Sequence, residues 1–183
     1  MNILPCKIEG VFVVEHQPLR DSRGAFSRLF CDDALSQFLT PRHIVQINHS
    51  RTSTVGAIRG MHFQHAPHAE MKMVRCLKGK VWDVVVDLRA DSATFLQWHS
   101  EVLSADSGKM LVIPEGCAHG FQVLEAESEL LYLHTAPYMP GAEGAVRFDD
   151  PRINISWPLP VADLSLRDKS HDLLSNEFVG ITV

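Results

Sequence analysis

The stretch Gly56–Leu88, GAIRGMHFQHAPHAEMKMVRCLKGKVWDVVVDL, decides how this chain folds. Val, Ile, Met and Trp take alternate positions along it, the period of a pleated, half-buried strand. Two breaks divide it into three strands. One is His65-Ala-Pro-His68, whose proline cannot donate to a ladder; the other is Lys78-Gly-Lys80, which reads as a hairpin turn. His62, Lys72 and Asp83 stand among the apolar residues. A strand that turns His62 or Lys72 toward its apolar side buries a charge, a costly arrangement unless the group is paired or used. Use is the expectation here.

The chain has 183 residues, 45% hydrophobic and 21% charged, which suits one folded domain with a substantial core. A net charge of −5 argues against nucleic acid as a partner, yet leaves room for a local basic pocket that takes a small anion. No apolar run approaches the roughly 20 residues that span a bilayer, so no membrane partner is expected. The start, MNILPCKIEGVFVVE, lacks the order of a signal peptide, and a cytoplasmic location is expected. Cys6, Cys31, Cys76 and Cys117 are scattered without a Cys-x-x-Cys pair and read as free thiols.

Outward from the central stretch, Lys7–Glu15 reads as a strand, Asp21–Gly24 as a turn and Ala25–Phe30 as a returning strand. Asp32–Leu39, acidic first and then apolar at helical spacing, predicts a short helix ended by Pro41. Val45–Ser50 is a strand with Gln46, Asn48 and Ser50 on one face. Strands follow at Thr94–Val102 and on both sides of the Pro114–Gly116 turn. Ser128–Thr135 places Leu130, Tyr132 and His134 on one face, and a helix is expected within Asp163–Glu177. Many short strands at close spacing predict an antiparallel β-sandwich or barrel.

Three segments carry more than periodicity: Ile58-Arg-Gly-Met-His-Phe-Gln64, Lys72-Met-Val-Arg-Cys76 running on to Asp83-Val-Val-Val-Asp-Leu-Arg89, and Ile113-Pro-Glu-Gly-Cys-Ala-His-Gly-Phe121. They resemble the dTDP-4-dehydrorhamnose 3,5-epimerase family of cupin-type sugar-nucleotide epimerases. The likeness extends through Asp21–Phe26, Gln46–Ser50, Tyr132, Tyr138–Glu143, Asp150-Pro151 and Ile155–Pro158. It implies a mainly β jelly-roll (cupin) barrel with a few short helices. One epimerase domain would run over 1–183, with N-terminal strands within about 1–50 contributing to a homodimer, a barrel core at about 51–158 and a C-terminal segment at about 159–183. The implied partner is a sugar nucleotide, with no cofactor and no metal.

The implied reaction removes a proton beside a ketone and returns one from the opposite face, which needs a base, an acid and a group to hold the enolate oxygen. By the resemblance His62 is the base, oriented by Asp168. Tyr132 is the acid, and Lys72 steadies the enolate. His119 reaches the same cavity, and Asp83 supports Lys72 or a histidine. Arg59 and Arg23 would hold the diphosphate as guanidinium forks, Phe26 would stack on the base, and Gln46 and Asn48 would bind the base or its sugar. Tyr138 and Glu143 would shape the sugar pocket.

Arg59 and His62 have opposite parity in a regular strand, so both enter one cavity only if the strand is bulged near Gly60. Two positions depart from the family pattern: Arg28, where many members carry glutamate, and Pro137, which replaces the first of a tyrosine pair. Three rival readings compete. A metal-dependent cupin would draw ligands from His62, His65, His68, Glu70 and His119, although two histidines three apart on a strand face opposite ways. A keto-sugar isomerase would use the same base. A sugar-nucleotide binding module would need no base, oxyanion donor and acid together.

Overall fold

The computed structural model describes residues 1–183, and most of its regular structure is antiparallel strand. The N-terminal part holds β1 (Asn2–Pro5), β2 (Phe12–Glu15), β3 (Leu19–Asp21) and β4 (Gly24–Phe26). A 3₁₀ turn at Asp33–Leu35 then runs into α1 (Ser36–Leu39). The barrel strands are β5 (Gln46–Thr52), β6 (Ile58–Gln64), β7 (Lys72–Lys78), β8 (Lys80–Asp87), β9 (Trp98–Ser104), β10 (Lys109–Ile113), β11 (Cys117–Val123) and β12 (Ser128–His134). A short β13 (Glu143–Ala145) and α2 (Leu166–Ser170) complete the chain.

One sheet has the order β1-β2-β10-β7-β12-β5 and the other β13-β6-β11-β8-β9, while β3 and β4 pair only with each other. The two large sheets face one another as a jelly roll. Val74, Cys76, Leu111 and Leu130 of the first pack against Val81, Val85, Phe121 and Val123 of the second, all buried. The outer face of the first sheet is covered by Leu35, Phe38 and Leu39. Ile153, Ile155 and Ile181 from the C-terminal segment cover the second. No helix is long and apolar enough to cross a membrane.

Four expectations change. Lys78-Gly-Lys80 does not close a hairpin, because β7 pairs with β10 and β12 while β8 pairs with β9 and β11. It is a corner where the chain passes between sheets, with Gly79 at φ +75° tight against Ser128. The strand expected over Thr94–Val102 begins at Trp98, since Ser92–Gln97 coils into turns that satisfy its own backbone. The strand expected over Lys7–Glu15 begins at Phe12 and pairs with an unforeseen β1, while the one from Ala25 ends at Phe26.

The expected irregularity in β6 is present. Across β11, His119 faces His62 and Phe121 faces Arg59, so β6 spends one more residue than its partner and is bulged. Gly60 lies in that extra length at φ +128°, and a Cβ there would sit 2.5 Å from Gly120 Cα. Only glycine fits. Gly60→Ala should therefore cost about 2–3 kcal/mol and lower Tm by roughly 5–10 °C, read by thermal unfolding of the full chain. An unchanged Tm would mean that the backbone approach is not constrained.

Candidate active site

The inward faces of the strands change character along their length. On β7, Lys72 is followed by Val74 and Cys76; on β12, His134 and Tyr132 follow the apolar Leu130. The apolar ends form the core just described. The polar ends open a cavity of about 520 Å³, lined by His62, Lys72, His119 and Tyr132 from both sheets and by Asp168 from α2.

Asp168 reaches the cavity because Ser165 caps α2, its side chain accepting the Asp168 backbone N–H at 3.0 Å. Asp168 Oδ1 lies 2.8 Å from His62 Nε2, and its side chain is 6% exposed against 31% for His62. Burial opposes the charge on Asp168, but the His62 hydrogen bond and charge outweigh it, with help from the Gly60 N–H and Ser165. Its carboxyl is held below the usual range. An ionised Asp168 fixes the proton of a neutral His62 on Nε2 and leaves the basic lone pair on Nδ1.

Tyr132 lies between two histidines, edge-on to His119 at 6.1 Å between ring centroids and stacked on His134 at 6.1 Å and 15°. Its hydroxyl is 3.3 Å from Ser50 Oγ. Burial pushes the phenol well above its ordinary range despite the Ser50 contact, so Tyr132 keeps its proton at neutral pH. His119 Nε2 contacts both oxygens of the fully buried Asp83 at 2.9 and 3.0 Å. Burial raises the Asp83 carboxyl more than His119 lowers it.

The buried Lys72 Nζ is 3.0 Å from Glu70 Oε1 and donates to the His62 carbonyl at 3.4 Å. From there a directed chain of contacts crosses the cavity wall. Glu70 Oε2 takes His134 Nδ1 at 2.7 Å, and His134 Nε2 meets Asn48 Nδ2 at 3.3 Å. Asn48 Oδ1 accepts from Gln46 Nε2 at 3.2 Å, and Gln46 Oε1 accepts the Tyr138 N–H at 2.9 Å. With a neutral His134 protonated on Nδ1, every donor in this chain faces an acceptor. Sequence reasoning missed it: Glu70 entered only as a metal ligand, and His134 only as a neighbour of Tyr132 on one strand face. That shared parity was the available signal.

Arg59 lines the same cavity, its Nε donating to Thr52 Oγ1 at 2.8 Å. At the rim Arg167 pairs with Glu143, which also accepts the Tyr138 hydroxyl at 2.7 Å. Arg167 was another omission, although it adjoins Asp168. Arg23 and Phe26 stand apart from the cavity on the β3–β4 hairpin, Arg23 paired to Asp21 at 2.5 Å and Phe26 70% exposed. The ligand set of the metal-dependent rival does not gather, because His65 lies in the exposed loop after β6 and neither it nor His68 lines the cavity. A different set does: ligand atoms of His62, Asp168 and His171 lie within 4.8 Å of one another.

Comparison with known proteins agrees over most of the chain. The family model for dTDP-4-dehydrorhamnose 3,5-epimerase matches residues 5–176. A dTDP-4-dehydrorhamnose 3,5-epimerase of Escherichia coli is 42% identical over 159 residues, 86% of this chain and 85% of that protein. A dTDP-4-dehydrorhamnose 3-epimerase of Streptomyces niveus is 36% identical over 176 residues, covering 96% and 84%. The crystal structure of a dTDP-6-deoxy-D-glucose-3,5-epimerase of Legionella pneumophila, in complex with dTDP-4-keto-L-rhamnose, superposes at a TM-score of 0.88. It is 36% identical, over 94% of this chain and 92% of that one.

Glu70 offers a direct test of the electrostatics. Burial opposes its charge, but His134 and Lys72 together hold its carboxyl below the usual range. The depressed value means that the stabilisation is present at neutral pH and is lost as pH falls through and below the ordinary glutamate range. Glu70→Ala should cost about 3–5 kcal/mol at pH 7 in urea unfolding, because Lys72 is left buried and unpaired. Lys72→Met combined with Glu70→Leu should recover most of that loss, and the pH dependence due to Glu70 should vanish in both variants.

Proposed function

The chain belongs to the dTDP-4-dehydrorhamnose 3,5-epimerase family, and on that premise we propose that it inverts C3, C5 or both of a dTDP-linked 4-keto-6-deoxyhexose through an enolate. The observation that carries the reading is the lining of one cavity by a carboxylate-held histidine, a paired lysine and a protonated tyrosine. Each suits one part of the reaction.

His62 takes the proton from the carbon next to the ketone onto Nδ1, while the C–H electron pair moves into the enolate and charge builds on the carbonyl oxygen. Asp168 holds the imidazole and stabilises the imidazolium that forms. Lys72 meets the developing oxyanion with a charge already oriented by Glu70, so little reorganisation accompanies the step. The Tyr132 hydroxyl then gives its proton to the opposite face of the same carbon. A phenol whose ionisation burial disfavours keeps its proton until a carbanion-like centre demands it. His119, seated on Asp83, is the second candidate contact for the sugar.

The nucleotide half is assigned to Arg59 for the diphosphate and to Gln46 and Asn48 for the base or its sugar, with Tyr138 and Glu143 at the sugar end. Arg23 and Phe26 are assigned to the cavity of a second copy in a homodimer. The exposure of the β3–β4 hairpin supports this, since Leu19 and Phe26 are 74% and 70% exposed on one small ribbon.

Proton NMR of dTDP-4-keto-6-deoxyglucose in D2O tests the reaction and its residue roles together. Wild-type protein should introduce deuterium at C3, C5 or both and yield the inverted sugar. His62→Ala should lose at least about 10²–10⁴ in rate while dTDP binding stays within a few-fold. Tyr132→Phe should still exchange protons while losing product formation. Normal turnover by His62→Ala would overturn the assignment of the base.

A further inference from the structure

We infer that His62, Asp168 and His171 form a Zn²⁺ site whose occupation switches off the base. The ligand atoms of these three side chains lie within 4.8 Å of one another, and no other set of His, Cys, Asp or Glu atoms in the chain converges in this way. Two of the three, His62 Nε2 and Asp168 Oδ1, are already 2.8 Å apart and share one proton.

The third member is what the dyad alone does not explain. His171 is the first residue beyond α2, three positions after Asp168, and its backbone turns extended there at φ −65° and ψ 143°. Its ring stands edge-on to His62, centroids 6.4 Å apart at 73°. Its Nε2 is fully enclosed and has no hydrogen-bond partner. An enclosed ring nitrogen without a partner has lost its water and gained no bond in return. A bound cation relieves that cost, because the nitrogen then places its lone pair on the metal.

The donor set is two imidazoles and one carboxylate, the N/O chemistry that Zn²⁺ takes at about 2.0–2.2 Å in three-ligand open sites. Side-chain shifts of about an ångström bring these atoms to that distance from a common centre. The ion takes the Nε2 position, so the proton now held between His62 and Asp168 moves to Nδ1, and binding weakens as pH falls because both imidazoles must be neutral to coordinate. While bound, it occupies the His62 ring nitrogen and the carboxylate that orients it, and the base no longer works as a dyad. His171 takes no part in the proposed reaction, so the switch and the chemistry are separable by mutation.

Binding does not depend on the epimerase reading; only the loss of turnover does. Metal-stripped full-length protein is titrated with zinc chloride in a calorimeter, in a non-chelating buffer, with D2O exchange of the keto-sugar nucleotide followed alongside. The expected result is one tight ion per chain. His171→Ala and Asp168→Asn should each bind at least about tenfold more weakly, given that losing even an outer-shell partner costs 10–100-fold. Without zinc, His171→Ala should keep wild-type turnover. It should also resist zinc at concentrations that silence the wild type.

Equal affinity in wild type and His171→Ala would overturn the site, as would tight binding that leaves wild-type turnover untouched. A metal-stripped wild type that regains activity only on adding zinc would overturn the inhibitory role. Wild-type protein inactive on the sugar nucleotide in every condition would count against the epimerase reading, and calorimetry on the same three proteins would still decide the site.

Discussion

The shared placement of Arg59 and His62 depends on one close approach, the backbone of Gly60 against the backbone of Gly120. The two strands β6 and β11 run so near each other there that neither glycine has room for a Cβ. The approach lets β6 carry an extra residue without leaving the sheet, and the extra residue reverses parity between Arg59 and His62. Without it, the Arg59 guanidinium and the His62 imidazole would face opposite sides of the sheet. The same bulge lets the Gly60 N–H face Asp168, so one irregularity both aims His62 and helps hold the carboxylate it contacts.

The second organising constraint is how a barrel interior tolerates so many ionisable groups. Three histidines are each seated on a carboxylate: His62 on Asp168, His119 on Asp83 and His134 on Glu70. The pairs are not equivalent. Asp168 and Glu70 are held below the ordinary carboxylate range by their partners, whereas burial drives Asp83 the other way. Negative charge is therefore kept where it orients His62 and where it balances Lys72, and disfavoured on the fully buried Asp83. Lys72 is thus a buried charge whose desolvation Glu70 offsets on folding.

How much of this could be read from the chain varies with the range of the interaction. Alternating strands and the central motif follow from local period, and Gly60 announces its bulge because the parity of Arg59 and His62 demands one. The passage between sheets at Gly79 was not legible, because a Lys-Gly-Lys corner and a Lys-Gly-Lys hairpin look alike until the partners of β7 and β8 are known. Residues that meet across long separations in the chain were equally hidden. Glu70 and His134 are 64 positions apart, and only folding shows that they share a proton. His171 differs again: its nitrogen is conspicuous because it lacks a partner, and sequence cannot display that.

The two departures from the family pattern have different physical weight. The segment carrying Tyr138 is held by its backbone: Gln64 Nε2 donates to the Pro137 carbonyl at 3.3 Å, Tyr138 N–H donates to Gln46, and Met139 N–H donates to Gln64 Oε1 at 2.7 Å. These bonds hold the loop without an N–H at position 137, and proline there adds a fixed φ to a loop already pinned on both sides. Tyr138 keeps its place against Glu143 without a tyrosine before it. Arg28 is a different matter. It is exposed beyond the end of the β3–β4 ribbon, with only Cys31 Sγ at 3.9 Å, so within one chain nothing fixes it. A substitution from carboxylate to guanidinium at such a position reverses the charge of the ribbon's exposed face and leaves the barrel beneath it unaltered.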